Sequence, residues 1–253
     1  MYIDTHCHLF DEYYDDIEEI IKKCKDNNIK RIIVSGVDMK SNMEVLELVN
    51  KNDIVYGSIG FHPTELKYLN YDDLKWLEEH INDEKIVAVG EIGLDYHYED
   101  TDKELQIDVL RRQLELAEKY NKPIIFHSRD AIGDTYNILK EYNLRGCIHC
   151  YSGSVEMARE FIKLGYMIGV GGVVTYKNSR ILKEVVNDTD LSYILLETDA
   201  PYLSPEPYRG NKNDSSNIGE IARVIAELKN TSIIEISRTT TMNAERLFDF
   251  SSK

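Results

Sequence analysis

The chain has 253 residues, room for one large domain such as an α/β barrel, which needs about 250. Lys and Arg total 30 against 45 Asp and Glu, and the formal charge of −15 excludes a protein that coats duplex nucleic acid with a broad basic surface. A hydrophobic share of 42% with 30% charged residues excludes a disordered chain, and no apolar run approaches the roughly 18 residues of a membrane span.

The opening MYIDTHCHLF lacks the basic and apolar regions of a secretory signal, so none is expected. A short apolar run at residues 2–5 leads into His6, Cys7 and His8. On an extended segment the two histidines share one side and Cys7 takes the other. Two neutral imidazoles so placed make a bidentate arm for a divalent ion; two satisfied polar histidines are the plainer alternative. The segment DIEEIIKKCK then shows apolar residues three and four apart, as an amphipathic helix does. Further apolar runs cover residues 31–35 and 55–59. Ser41 and Glu44 between them have capping-box spacing, and DLKWLEEHI follows as a second helical pattern.

The run at 86–89 leads to Glu91, where an unpaired carboxylate is costly to bury; a metal ion or an arginine would compensate it. Asp95 reads either as a group supporting a ligand or as a loop residue. Thr101 and Glu104 have capping-box spacing ahead of QIDVLRRQLELAEKY. The run at 124–126 ends at His127, and the run at 146–149 ends at His149 between Cys147 and Cys150. One CxxC without a second pair is weak evidence for structural zinc, so these cysteines read as packing residues. With Cys7 and Cys24 they make no disulfide framework, and a reducing, cytoplasmic location is expected. The run at 166–170 precedes Gly171 and Gly172. With Gly169 these lack GxGxxG spacing and read as close backbone packing. The run at 194–197 leads to Asp199 before Pro201. A carboxylate there can bind a metal and accept a proton from water, or cap the next segment. Residues 200–216 hold three prolines and read as a long ordered loop, and Ser232 with Glu235 opens the last helix.

Eight buried strands alternating with helical stretches predict a parallel sheet closed as a single-domain (β/α)₈ TIM barrel over 1–253; an open doubly wound sheet would usually have fewer strands. The unusual polar residues fall at the C-terminal ends of the strands, the active-site end of such a barrel. His6, His8, Glu91, His127, His149 and Asp199 supply four imidazoles and two carboxylates. One ion that also keeps a place for water does not need six ligands, so two ions sharing a carboxylate fit better.

The motifs DTHCHL, GFHPTE, GEIGLDY, IIFHSRDA, HCYSG, ETDAPYL and PYRG, with NAERLF near the end, resemble the TatD family of metal-dependent deoxyribonucleases in the amidohydrolase superfamily. The resemblance runs from about residue 3 to 248. It implies that His6 and His8 bind one divalent ion and His127 and His149 another. Glu91 would bridge, and Asp199 would bind and serve as general base. It places His62, Arg129 and Arg209 near the substrate, although His62 reads equally as a supporting group and Arg209 also as a surface charge. The implied activity is removal of nucleotides from single-stranded DNA ends by a metal-activated water, with two ions, Mg²⁺ or Mn²⁺, and Zn²⁺ acceptable to the histidines. Neither a membrane nor a protein partner is implied. Where the family often reads RGKRNEPA, this chain reads RGNKNDSS; it keeps an acid at Asp214 and lacks the proline, which bears on loop rigidity and substrate preference. Two other readings use the same residues: hydrolysis of another ester or amide, such as an aminoacyl-tRNA ester, and a non-catalytic metal-binding protein.

Overall fold

Runs of Ile and Val only three to ten residues long suit strands buried on both faces, and that is what they form. The computed structural model describes residues 1–250, so the last three residues of the expected domain lie outside it. Among the described residues the strands are β1 (Tyr2–Cys7), β2 (Ile29–Ser35), β3 (Val55–Ile59), β4 (Ile86–Asp95), β5 (Ile124–Arg129), β6 (Gly146–Ile148), β7 (Tyr166–Val170) and β8 (Ile194–Leu196). They pair in parallel and in chain order. Beyond β8 the chain bonds back to β1: Asp199 N donates to His6 O (3.0 Å) and His8 N to Ala200 O (2.6 Å). The fold is a single-domain (β/α)₈ TIM barrel.

The helices are α1 (Ile17–Asp26), α2 (Met39–Lys51), α3 (Tyr71–His80), α4 (Lys103–Lys119), α5 (Ile132–Leu139), α6 (Val155–Lys163), α7 (Arg180–Asp188), α8 (Ile218–Leu228) and α9 (Ile233–Leu247). Two expected caps shift. Asp38 caps α2, and Ser41 closes that capping box from inside the helix. Asp102, not Thr101, caps α4 by accepting from Leu105 N at 3.0 Å. In both cases a carboxylate beside the first helical residue satisfies the free N–H groups. Ser232 caps α9 as expected, accepting from Glu235 N at 3.1 Å.

The barrel interior is layered by the two-residue pleat. Ile3, Ile33, Tyr56, Val87, Ile125, Cys147, Met167 and Leu195 form one apolar layer with a residue from every strand. Phe248 and Phe250 join it and close the lower end. Two residues further along come Ser35, Ser58, His127, His149, Gly169 and Glu197, so the next layer is polar. In β1 a register shift between Asp4 and Cys7 changes the phase, so the even-numbered His6 and His8 face the interior where Ile3 does lower down. Cys7 goes to the outer core with Leu9 and Cys24.

Candidate metal centre

β1 delivers His6 and His8 together. Their Nε2 atoms lie 3.2 Å apart. His8 Nδ1 donates to Ser35 O (3.0 Å), and because a carbonyl only accepts, the lone pair of His8 Nε2 faces the cavity. Ser35 Oγ lies 3.1 Å from His6 Nδ1 and so fixes the second ring. Two nitrogens on one tetrahedral ion, each at 2.0–2.1 Å, sit about 3.3 Å apart, so the spacing fits shared ligation.

β4 runs six residues past its expected end, so Glu91 is inside the strand and buried. Its two oxygens divide the histidines. Oε2 lies 3.4 Å from Nε2 of both His6 and His8. Oε1 lies 2.9 Å from His149 Nε2, 3.1 Å from His127 Nδ1 and 3.5 Å from His62 Nε2. Asp199 Oδ1 completes the first side, 3.5 Å from His6 Nε2 and 3.6 Å from His8 Nε2. Asp199 adopts a left-handed φ of 52°, which Asp tolerates better than most residues and which ends the extended run after β8. Three groups of possible ligand atoms each converge within 4.8 Å: His6, His149 and Asp199; His6, His8 and Glu91; and His62, Glu91 and His127. The grouping adds His62, whose 3.5 Å to Glu91 is only slightly longer than the 3.4 Å of His6 and His8.

Burial acts to raise the Glu91 carboxyl, but the imidazoles of His149, His62 and His6 outweigh it and hold it well below the usual carboxylate range. Burial opposes ionisation of Asp199 too, and hydrogen bonds from His6 and His8 overcome it. Burial and the neighbouring His149 act to lower His6, yet Glu91 and Asp199 push it up to about 9. His62 goes the other way, down to about 3, because burial dominates. Two ionised carboxylates beneath neutral-capable imidazoles form a donor set suited to a divalent cation.

Two further carboxylates orient the rings. Asp95 Oδ2 lies 3.1 Å from His127 Nε2, which turns Nδ1 of that ring inward. Glu197 Oε1 accepts from Cys150 N and stands 3.6 Å from His149 Nδ1. Gly169 makes room for it, since a Cβ there would meet Glu197 Oε2 at 2.5 Å. Sequence reasoning left Asp95 open and passed over Glu197. Glu197 carries the same signal as Glu91, an acid directly after a buried apolar run. Asp4 is also buried: it accepts from Thr198 N (3.0 Å) and Thr198 Oγ1 (2.5 Å), tying β1 to the segment that carries Asp199.

These groups floor a cavity of about 730 Å³ at the C-terminal end of the strands. Phe10, Tyr13 and Tyr202 line one side, Tyr98 and Arg129 the other. Arg129 is exposed, with its guanidinium 5.8 Å from the Tyr98 ring. Arg209 stands apart from this lining: its guanidinium lies 4.2 Å over the Tyr176 ring. In the departing loop, Asp214 pairs with Lys23 at 2.6 Å and accepts from Ser216 N, so this acid is used in holding the loop.

Residues 3–249 match the family described as TatD related DNase. An uncharacterised metal-dependent hydrolase of Bacillus subtilis, YabD, is 43% identical over 98% of this chain and 99% of its own. Among solved structures, the TatD homologue YjjV from Escherichia coli superposes with a TM-score of 0.94 at 33% identity, covering 98% of each chain. A TatD family hydrolase from Entamoeba histolytica gives 0.86 at 26% identity, covering 99% of this chain and 98% of its own. No helix among the described residues is long and apolar enough to cross a membrane.

Proposed function

The chain belongs to the TatD family and is a metal-dependent hydrolase, and from that premise we propose that it removes nucleotides from single-stranded DNA ends by phosphodiester hydrolysis. The observation that carries the reading is the division of Glu91, with Oε2 on His6 and His8 and Oε1 on His127 and His149. A carboxylate so shared is the natural bridge of a two-ion site. His6, His8 and Asp199 would hold one divalent ion and His127 and His149 the second, with Glu91 common to both. Mg²⁺ or Mn²⁺ suits phosphate chemistry, and the four imidazoles also accept Zn²⁺. Such ions, when bound, lower the pKa of a water from 15.7 towards about 7 and offset charge on a phosphate.

The side chains do the rest. Asp199 stays ionised at the cavity floor, where its Oδ1 can orient the attacking water and take its proton. His62, kept neutral by burial, presents Nε2 beside Glu91 Oε1 and would hydrogen-bond a substrate oxygen. Arg129, which lines the cavity wall, would pair with a phosphate. Arg209 would have to leave Tyr176 to do so. Two divalent ions against Glu91 and Asp199 leave a local excess of about +2 inside an acidic chain. Engagement is therefore short and centred on the cavity, as suits trimming of a strand end.

The test is metal analysis with a substrate panel: single-stranded DNA, duplex DNA, RNA, an aryl phosphodiester and a carboxylic ester. Turnover of single-stranded DNA ends that chelation abolishes and added divalent ion restores is expected. Full activity after exhaustive chelation overturns the metal mechanism, and turnover of the carboxylic ester alone overturns the nuclease.

A further inference from the structure

One wall of the cavity mouth is aromatic, and the hydrolytic groups do not use it. Tyr202 is 48% exposed, although large aromatic rings are normally well buried. Its ring centroid lies 6.1 Å from that of His8 and 5.9 Å from that of Tyr13. Phe10 extends the surface, 6.2 Å from His8 and 6.4 Å from Tyr13.

This wall is braced from behind. The Tyr202 hydroxyl donates to the Tyr13 hydroxyl at 3.0 Å. Asn213 is fully buried and donates to Tyr202 O (2.8 Å) and Thr198 O (3.0 Å). Tyr202 N donates to Asp199 O at 2.9 Å, which ties the ring to the segment carrying the general base. Lys212 Nζ donates to the backbone carbonyl of Tyr13 and holds the segment that carries the second ring. The polar edge of Tyr202 is thus satisfied within the protein, while about half of the residue stays open to solvent.

A fixed aromatic face beside a phosphodiester site is a surface on which any nucleobase can stack. Of the other tyrosines beside the motifs, Tyr151 is buried and Tyr96 has Lys103 Nζ 4.2 Å over its ring. Tyr98, across the cavity, is 53% exposed but stands beside Arg129. In a chain of charge −15, which argues against a broad basic surface, stacking adds affinity for a strand end without charge. We propose that Tyr202, braced by Tyr13, is the stacking platform for the base of the nucleotide beside the scissile phosphate. The inference rests on the phosphodiesterase reading of the same cavity.

The experiment compares wild type, Tyr202→Leu and Tyr202→Phe on single-stranded DNA oligomers whose terminal nucleotide carries 2-aminopurine, an ordinary base or no base. Wild type and Tyr202→Phe should quench 2-aminopurine, and Tyr202→Leu should lose the quench. KM for the base-bearing oligomer should rise about ten-fold in Tyr202→Leu and return with Tyr202→Phe. KM for the abasic oligomer should rise far less. Equal rises for both oligomers, or no quench on the wild type, overturn the platform while wild-type cleavage keeps the nuclease. A wild type that cuts no oligomer yet cleaves a carboxylic ester overturns the nuclease reading and the platform with it.

Discussion

Asp95 Oδ2 lies 3.1 Å from His127 Nε2, and this contact decides which nitrogen of His127 faces Glu91. The ring is held from β4 while it projects from β5, so its inner nitrogen, Nδ1, meets Glu91 Oε1 at 3.1 Å. A carboxylate behind a ligating histidine fixes its orientation and raises its basicity.

Asp95→Asn keeps the volume and removes the charge. Metal affinity should fall about 10–100-fold, with the thermal melting of the metal-free protein little changed. Metal titration by calorimetry measures it. Affinity within two-fold of wild type would show that the charge of Asp95 contributes nothing through His127.

Asp199→Asn removes the proposed base. Turnover of a single-stranded oligomer should drop by about 10²–10⁴-fold while circular dichroism stays that of the wild type. Steady-state kinetics at saturating Mn²⁺ separates loss of the base from loss of the ion. A near-normal kcat there would remove Asp199 from the role.

Metal binding should release protons and strengthen with pH. His6 in the metal-free fold is raised to about 9, so it carries a proton at pH 7 to 8, whereas ligation needs the neutral ring. Burial acts to lower His127 and His149, but the carboxylates beside them raise both as well, so affinity should rise steadily with pH above about 7 as these rings lose their protons. Calorimetry in two buffers of different ionisation enthalpy counts the protons. Metal uptake without proton release at pH 7.5 would contradict the assignment of His6.

Arg129→Ala and Arg209→Ala should part company. Arg129 lines the cavity, while Arg209 lies on Tyr176. The first change should raise KM for an oligomer by about ten-fold, and the second by less than two-fold, since a surface charge is worth little. The reverse order in Michaelis–Menten curves would mean that the 200–216 loop swings over the substrate.

What the sequence determined by itself is the barrel and most of the side chains that gather at the candidate centre. Period and length decide that a short Ile/Val run is a buried strand, and an acid or histidine directly after it lands one pleat above the apolar layer. That rule places His127 above Ile125 and His149 above Cys147, and it would also have found Glu197 above Leu195. Capping was less legible, because at Asp38 and Asp102 a carboxylate next to the helix competed with the hydroxyl that the spacing favoured.

Only the tertiary structure decided which residues touch. Closing the sheet brings Asp4 to Thr198 across 194 positions and Asp95 to His127 across 32. Local periodicity fixes the face on which a side chain stands. It carries no information about the strand that arrives opposite, nor about the flexible side chain that finds another partner. For that reason the division of Glu91 between two pairs of histidines, the rest of Arg209 on Tyr176 and the exposed ring of Tyr202 beside His8 emerge only when eight strands share one interior.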